Sequence, residues 1–355
     1  MGPQPIIPHS RPTLGDEAVQ AVSSVVASGQ VAQGPRVAEF ERAVAKLVGV
    51  RGGVAVSSGT AALELALLVL GIGPGDEVLL PSYVCAAPWL ATVRVGASPK
   101  LVDIEPTTYA IDPDGAKRAL SARAKAIIVP HLFGLPADLT GLEALGVPLV
   151  EDCAQTLAAT ERGRQVGTVG TVTVCSFYAT KLLCTGEGGM VLANDERLLE
   201  RARALREYDE RQTLDRRAFN HKMTDLQAAL GISQLGRFGA FLRRRAAIAD
   251  AYQEAFRPFD LRLPVVPEGR THVYYRYVVR PKGGSRVTEE LLARMERRGI
   301  HCRRPVFRPI HRYLGLEGYP ASEEADRAAL SVPIYPSLTE EEVARTIQTL
   351  REELA

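Results

Sequence analysis

Lys181 ends the stretch "TVTVCSFYATK", in which an apolar run passes through a serine and an aromatic, reaches a lysine, and then gives way to the acid and glycines of "GEGG". An unprotonated lysine amine can attack a carbonyl and form a Schiff base. Three other polar sets follow apolar runs: "SSGT" after "VAV", His131 after "AIIVP", and "EDCAQ" after "VPLV". Each has a plain structural reading. A serine-glycine turn caps a helix, an aspartate forms a turn, a lysine is solvated, and His131 can be a half-buried loop residue holding a backbone carbonyl. The combination says more. A hydroxyl- and glycine-rich turn at a helix start can hold a phosphate through backbone N–H groups. An acid at a strand end can face a ring nitrogen, and a lysine nearby can bind an aldehyde. Phosphate cradle, pyridinium acid and Schiff-base lysine together are what pyridoxal 5'-phosphate requires.

Those sets need elements to position them. The rhythm of short apolar run, loop and helical pattern predicts an α/β fold with a mostly parallel sheet, whose ligand groups gather outside the carboxyl ends of the strands. "VAV" reads as a buried strand, "SSGT" as the capped start of the helix "AALELALLVLG", and "GPGDEVLLP" as a turn and the next strand. "PKLVDI", "AKAIIVPHLFG", "VPLVEDCAQ" and "TVTVCSF" are further strands, and charge-rich helical sequence runs from Glu196 to about Phe256. Beyond "FRPFDLRLPVVPEG" the pattern changes. "HVYYRYVVRP" alternates like a half-exposed strand and precedes the helix "TEELLARMERRGI". The expected division is a large cofactor domain over residues 1–255 and a smaller α+β domain over 256–355.

Composition bounds the function class. The 355 residues are 46% apolar and 24% charged with a net charge of +2, a balance that predicts no nucleic-acid or anionic-membrane partner. No apolar run approaches the ~20 residues of a membrane helix, and the start lacks a secretory pattern. The five cysteines (Cys85, Cys153, Cys175, Cys184 and Cys302) show no CxxC spacing, which fits reduced thiols and a cytoplasmic location and offers no zinc site. Arg243 to Arg245 read as a solvated helix face.

From "GPRVAEFERAVAKLVGV" through "SSGTAALELALLVLGIGPGDEVLLPS", "GASPKLVDIEPTTYAIDP", "AKAIIVPHLFGLPADL", "VEDCAQTLAA", "SFYATKLLCTGEGGMVLAND" and "FNHKMTDLQAALGISQL" to "SVPIYPSLTEEEV", the chain resembles the DegT/DnrJ/EryC1/StrS family of PLP-dependent sugar aminotransferases, of the aspartate aminotransferase fold type I. The resemblance implies that Lys181 carries the cofactor and later moves the proton, a role that needs its amine unprotonated. Asp152 would keep the pyridine nitrogen protonated, and Gln155 would lie against the ring or its hydroxyl. Gly59, Thr60 and Ala61 would bind the phosphate with Ser176. Asn220 would reach a phosphate across a homodimer interface, giving shared active sites, and His311 and Tyr178 would lie near substrate.

Three positions depart from the family. Cys85 stands where a flat side chain usually stacks on the cofactor, so that either Cys85 takes that face or Tyr83 or Trp89 compensates. Tyr178 replaces a frequent histidine, and Lys222 a usual arginine. Lys181 argues against the relatives that carry histidine there and act as dehydratases. The implied reaction passes an amine from a donor, by family habit L-glutamate, to a keto group on a nucleotide-linked deoxy sugar, for surface polysaccharide or secondary metabolite synthesis. Keto-inositol aminotransferases, aminohydroxybenzoate synthases and a non-catalytic regulatory protein of the same fold remain alternatives. Acceptor specificity is expected in loops such as Glu207 to Phe219 and in the second lobe.

Overall fold

The computed structural model describes residues 5–209 and 215–354. In chain order the strands are β1 (Gly52–Val56), β2 (Glu77–Pro81), β3 (Ser98–Val102), β4 (Ala124–Pro130), β5 (Leu149–Asp152), β6 (Thr160–Glu161), β7 (Arg164–Gln165), β8 (Val172–Ser176), β9 (Gly189–Ala193), β10 (Leu261–Arg262), β11 (Tyr277–Pro281) and β12 (Leu330–Val332). Seven form the central sheet in the order β1-β9-β8-β5-β4-β2-β3. β2, β3, β4, β5 and β8 pair in parallel, whereas β9 is antiparallel to both β1 and β8. The fold is therefore α/β with one reversed strand in a mostly parallel sheet.

Both faces of the sheet are covered, which is why its strands read as continuous apolar runs. On one face Val54, Val56, Val150, Val172 and Val174 pack under the helix Gly59–Val69. On the other, Ala55, Cys175, Met190 and Leu192 pack against Phe40 and Val44 of the helix Pro35–Val48.

The C-terminal region makes a second sheet, β10-β11-β12. Its core takes in Ile7 from the chain start and Ile248, Ala249, Tyr252 and Phe256 from the helix Phe238–Phe256, whose first half packs with the large sheet's core through Phe238. That helix thus ties both cores together across the expected boundary at residue 255.

Two expectations need correction here. β11 covers only Tyr277–Pro281 and all five residues are buried, so the alternation of "HVYYRYVVRP" does not mark a half-exposed strand. Arg245 is not solvated. It is buried in the helix Phe238–Phe256, and its Nη1 donates to the carbonyls of Tyr274, Tyr275 and Ile334 at 3.1, 3.2 and 2.9 Å. Burial draws its pKa down to about 10. These bonds at Nη1 offset part of the cost of burying the guanidinium, whose Nε has no partner, and a run of three arginines does not reveal which one turns inward.

Candidate active site

Strands β1, β4, β5 and β8 run in one direction and end at one edge, where β9 begins. Gly189 pairs with Val56 of β1 on one side and Ser176 of β8 on the other. A side chain at Gly189 would collide with the Ser58 backbone, so glycine lets the turn after β1 close over the β8 end. Ser58 then caps the helix Gly59–Val69, its Oγ accepting the Ala61 N–H at 3.1 Å; such a cap contributes about 1 kcal/mol. Gly59 packs on Ser176, where a Cβ would stand 2.7 Å from the Ser176 Cβ. The amides of Gly59 and Thr60, first in the helix, have no acceptor a turn earlier. They and the positive end of the helix dipole give the turn an anion-binding character.

β5 delivers Asp152 beside this turn, opposite Val174 in the ladder with β8. Among the described residues its carboxylate accepts one hydrogen bond, from Ala154 N–H at 3.0 Å. Burial raises its pKa, against the lowering effects of that bond and of the charges on Lys181 and His131. A buried carboxylate that accepts so few hydrogen bonds is suited to a cationic N–H.

Lys181 lies in the turn after β8, its backbone N–H donating to Tyr178 O at 2.8 Å. Its Nζ sits 5.1 Å from the ring centre of Tyr275, whose hydroxyl is 3.3 Å from Thr180 Oγ1. Burial alone would raise the Tyr275 pKa, but the charges on Lys181, Arg276 and Arg245 and the Thr180 bond outweigh it and draw it down to about 8.

Gly59, Thr60, Ser176, Asp152 and Lys181 line one cavity of about 210 Å³, joined by Cys85 and Tyr178. Its chemistry fits pyridoxal 5'-phosphate: an anion-binding helix start too tight for any side chain at Gly59, an under-bonded buried carboxylate, and a primary amine, all facing the same space. Cys85 opens onto it, and the surrounding protein raises the thiol pKa despite the Lys181 charge. Tyr83 is fully buried against Tyr109 and Phe133, and Trp89 packs into the cores, so neither lines the cavity with Cys85.

Other predicted residues lie outside this lining. Ala61 is buried with its N–H committed to Ser58. Gln155 holds the Phe133 N–H with Oε1 at 2.8 Å. Asn220 is exposed and accepts the Lys222 N–H at 3.3 Å, while the next residue's carbonyl takes the Ser57 N–H at 2.7 Å. His311 is sealed in the seam between lobes, 2.5 Å from Ser82 Oγ and 2.7 Å from Glu323 Oε1. His131, expected at half burial, is wholly buried. Its Nδ1 accepts the Ala137 N–H at 3.0 Å, its Nε2 lies 3.0 Å from Glu151, and Glu151 also accepts N–H groups of Gly167, Val169 and Gly170. That network fixes the loop entering β8 and presents nothing to the cavity. Of the loop expected to carry acceptor specificity, residues 210–214 lie outside the described residues.

Sequence reasoning did not single out Ser58, Glu187 or Tyr275, the first two lining the cavity and the third packed on the lysine. Ser58 and Glu187 sat within the "SSGT" and "GEGG" stretches already in view. Tyr275 comes from the far end of the chain, and no local pattern links it to Lys181.

Residues 12–351 match the DegT/DnrJ/EryC1/StrS aminotransferase family. The chain is 34% identical to the UDP-N-acetyl-3-dehydro-alpha-D-glucosamine 3-aminotransferase of Acidithiobacillus ferrooxidans, over 96% of this chain and 95% of that one. The crystal structure of the aminotransferase TlmJ from Streptoalloteichus hindustanus superposes with a TM-score of 0.92 at 35% identity, covering 98% of this chain and 99% of that one. S. venezuelae DesV, solved in complex with a ketimine intermediate, gives 0.91 at 33% identity over 98% of both chains. With that end-to-end match and the cavity described above, the chain belongs to the DegT/DnrJ/EryC1/StrS family of PLP-dependent sugar aminotransferases.

Proposed function

We propose that the enzyme moves an amino group from L-glutamate to a keto group on a nucleotide-linked deoxy sugar. The observation that carries this reading is the single cavity in which Lys181, Asp152 and the Gly59–Thr60 helix start converge; similarity to a UDP-sugar aminotransferase supports the acceptor class. When bound, pyridoxal 5'-phosphate supplies an aldehyde that captures amines and a ring that takes up the electrons of a breaking C–H bond. The amides of Gly59 and Thr60 and the Ser176 hydroxyl would bind its phosphate. Asp152 would hold the proton on its ring nitrogen, and Cys85 would offer the ring a soft contact. Gln155, whose Oε1 is engaged with the Phe133 N–H, would offer its amide NH₂ to the ring hydroxyl. Lys181 Nζ would carry the proton between the substrate carbon and the cofactor carbon in each half-reaction. Tyr178, half exposed at the cavity, contacts the sugar.

The acceptor class is tested by incubating the enzyme with glutamate and a panel of keto-sugar nucleotides and keto-inositols, with products read by mass spectrometry. Amination of a nucleotide-linked ketone is the expected result, and amination of keto-inositol alone would displace it. The five free cysteines fit a reducing cytoplasm as the compartment.

The working unit in this reading is a homodimer with shared sites. Asn220 is exposed and does not cap the following helix, since Thr224 does so in a capping box with Gln227. Phe219, beside Asn220, and Leu90 and Val93, on the helix just after Cys85, are exposed apolar residues suited to an interface. Mixing a Lys181→Ala chain with an Asn220→Ala chain, each poorly active alone, should regenerate one site with both residues intact and recover roughly a quarter of the parental activity, the share expected when half the dimers are mixed and each has one whole site of two. No recovery in mixed dimers demonstrated by mass would refute the sharing of sites.

A further inference from the structure

Arg276 packs on the same Tyr275 ring as the active-site lysine, without an acid to balance it. Its Nη1 lies 3.3 and 3.1 Å from the two ring nitrogens of His9, and its Nε is buried without a hydrogen-bond partner. Among the described residues no carboxylate comes within ion-pairing distance of it. Arg245 and Arg280 also bury a nitrogen without a hydrogen-bond partner, but Arg280 has an acid, Glu324, at 3.6 Å, Arg270 has Asp138 at 3.9 Å and Arg303 has Glu296 at 3.5 Å. His9 brings no negative charge, because burial and the charges of Arg276 and Arg303 push its pKa down to about 3 and leave the ring neutral. Buried Arg245, bonded to the carbonyls of Tyr274, Tyr275 and Ile334, adds a second positive charge behind the same wall. A partly desolvated guanidinium with an unused N–H is costly unless an anion shares its surroundings.

The space in front of Arg276 is a cleft of about 30 Å³ lined by His9, Ser10, Thr180, Tyr275, Arg276 and Ile334. That is room for the oxygens of a carboxylate and too little for a sugar ring or a nucleotide. Thr180 precedes Lys181 in the chain. The Tyr275 ring is shared, with the Lys181 Nζ 5.1 Å and the Arg276 Cζ 5.3 Å from its centre. A molecule whose amine reacts in the Lys181 cavity therefore has a cationic cleft one side chain away. Resting on the transamination reading, we propose that Arg276 forms a subsite for the side-chain carboxylate of the amino donor, so that the enzyme selects a dicarboxylic amino acid over its neutral amide. The guanidinium gives the planar two-point recognition that a carboxylate prefers, with Tyr275 as the wall that sets the distance to the reacting amine.

Two measurements test this. Glutarate, a dicarboxylate with no amine, should bind the holoenzyme in calorimetry, and Arg276→Gln should weaken it roughly 10- to 100-fold, the usual range for one charge-assisted contact; Arg276→Lys should restore part of the loss. In single-turnover half-reactions followed by the cofactor's absorbance, Arg276→Gln should raise the half-saturating concentration of L-glutamate by a similar factor and leave that of L-glutamine nearly unchanged. Glutarate binding equally well to both proteins, an equal loss for both donors, or a loss that falls on the nucleotide-sugar half-reaction would each overturn the subsite. A parental spectrum unmoved by either donor, with glutarate binding still dependent on Arg276, would count against the transamination reading and for the anion subsite.

Discussion

Lys181→Ala is expected to lower transamination by on the order of 10³-fold or more, within the range lost when a positioned acid–base group is removed and compounded here by loss of the covalent anchor. The residue lies in the turn after β8 with its amine at the cavity, and among the described residues no second lysine lines that space. Lys222, on the same edge of the sheet, is turned to Asp209 at 3.7 Å. The fold should survive. The Lys181 side chain makes no ion pair or hydrogen bond among the described residues, and its contact with the Tyr275 ring is of a kind worth about 0.5–2 kcal/mol. Circular dichroism and thermal unfolding close to the parent's, together with loss of the glutamate-dependent change in cofactor absorbance, are the expected pair of results. A variant that aminates a keto substrate at near the parental rate would remove Lys181 from its role.

What made Lys181 legible in the sequence is the way parallel sheets are built. β4, β5 and β8 are buried on both faces, so each reads as an apolar run, and the first polar residue after it marks the carboxyl edge where ligands bind. Asp152, Ser176 and the Ser58 turn followed from the same signal. It fails for His131, which also follows a strand but turns inward to Glu151, because strand ends state position along the chain and not the direction of a side chain. It fails as well for groups brought in by tertiary packing. Tyr275 meets Thr180 across 95 residues, and His311 meets Ser82 across 229. The resemblance to relatives put His311 near substrate, whereas packing against Tyr319 and bonding to Glu323 hold it in the lobe seam. Arg276 has no motif at all. Its interest comes from what its neighbours lack, which only coordinates reveal.

Asp152→Asn separates chemistry from cofactor retention and from folding. An amide cannot stabilise a proton on the ring nitrogen as a carboxylate does, so the electrons released at the donor carbon lose part of their sink. The single-turnover half-reaction with glutamate is expected to slow by on the order of 10²–10³-fold, the scale of one lost electrostatic contact in a closed site. Retention of the cofactor should change little, since on the proposed reading its phosphate would be held by the separate Gly59–Thr60 helix start. Asn Oδ1 can still accept the Ala154 N–H, which preserves the local turn. Stability adds an independent check. Burial raises the Asp152 pKa in the cofactor-free fold above its unfolded value, so the ionised carboxylate costs stability at neutral pH, and that cost fades as pH falls through the raised pKa. The neutral amide carries no such cost. Cofactor-free Asp152→Asn should therefore unfold in urea at a midpoint equal to or above the parent's at pH 7, and the advantage should shrink on acidification. A half-reaction at the parental rate in a protein that keeps its cofactor would show that another group holds the ring proton; a slow half-reaction with a lowered urea midpoint would assign the loss to folding instead.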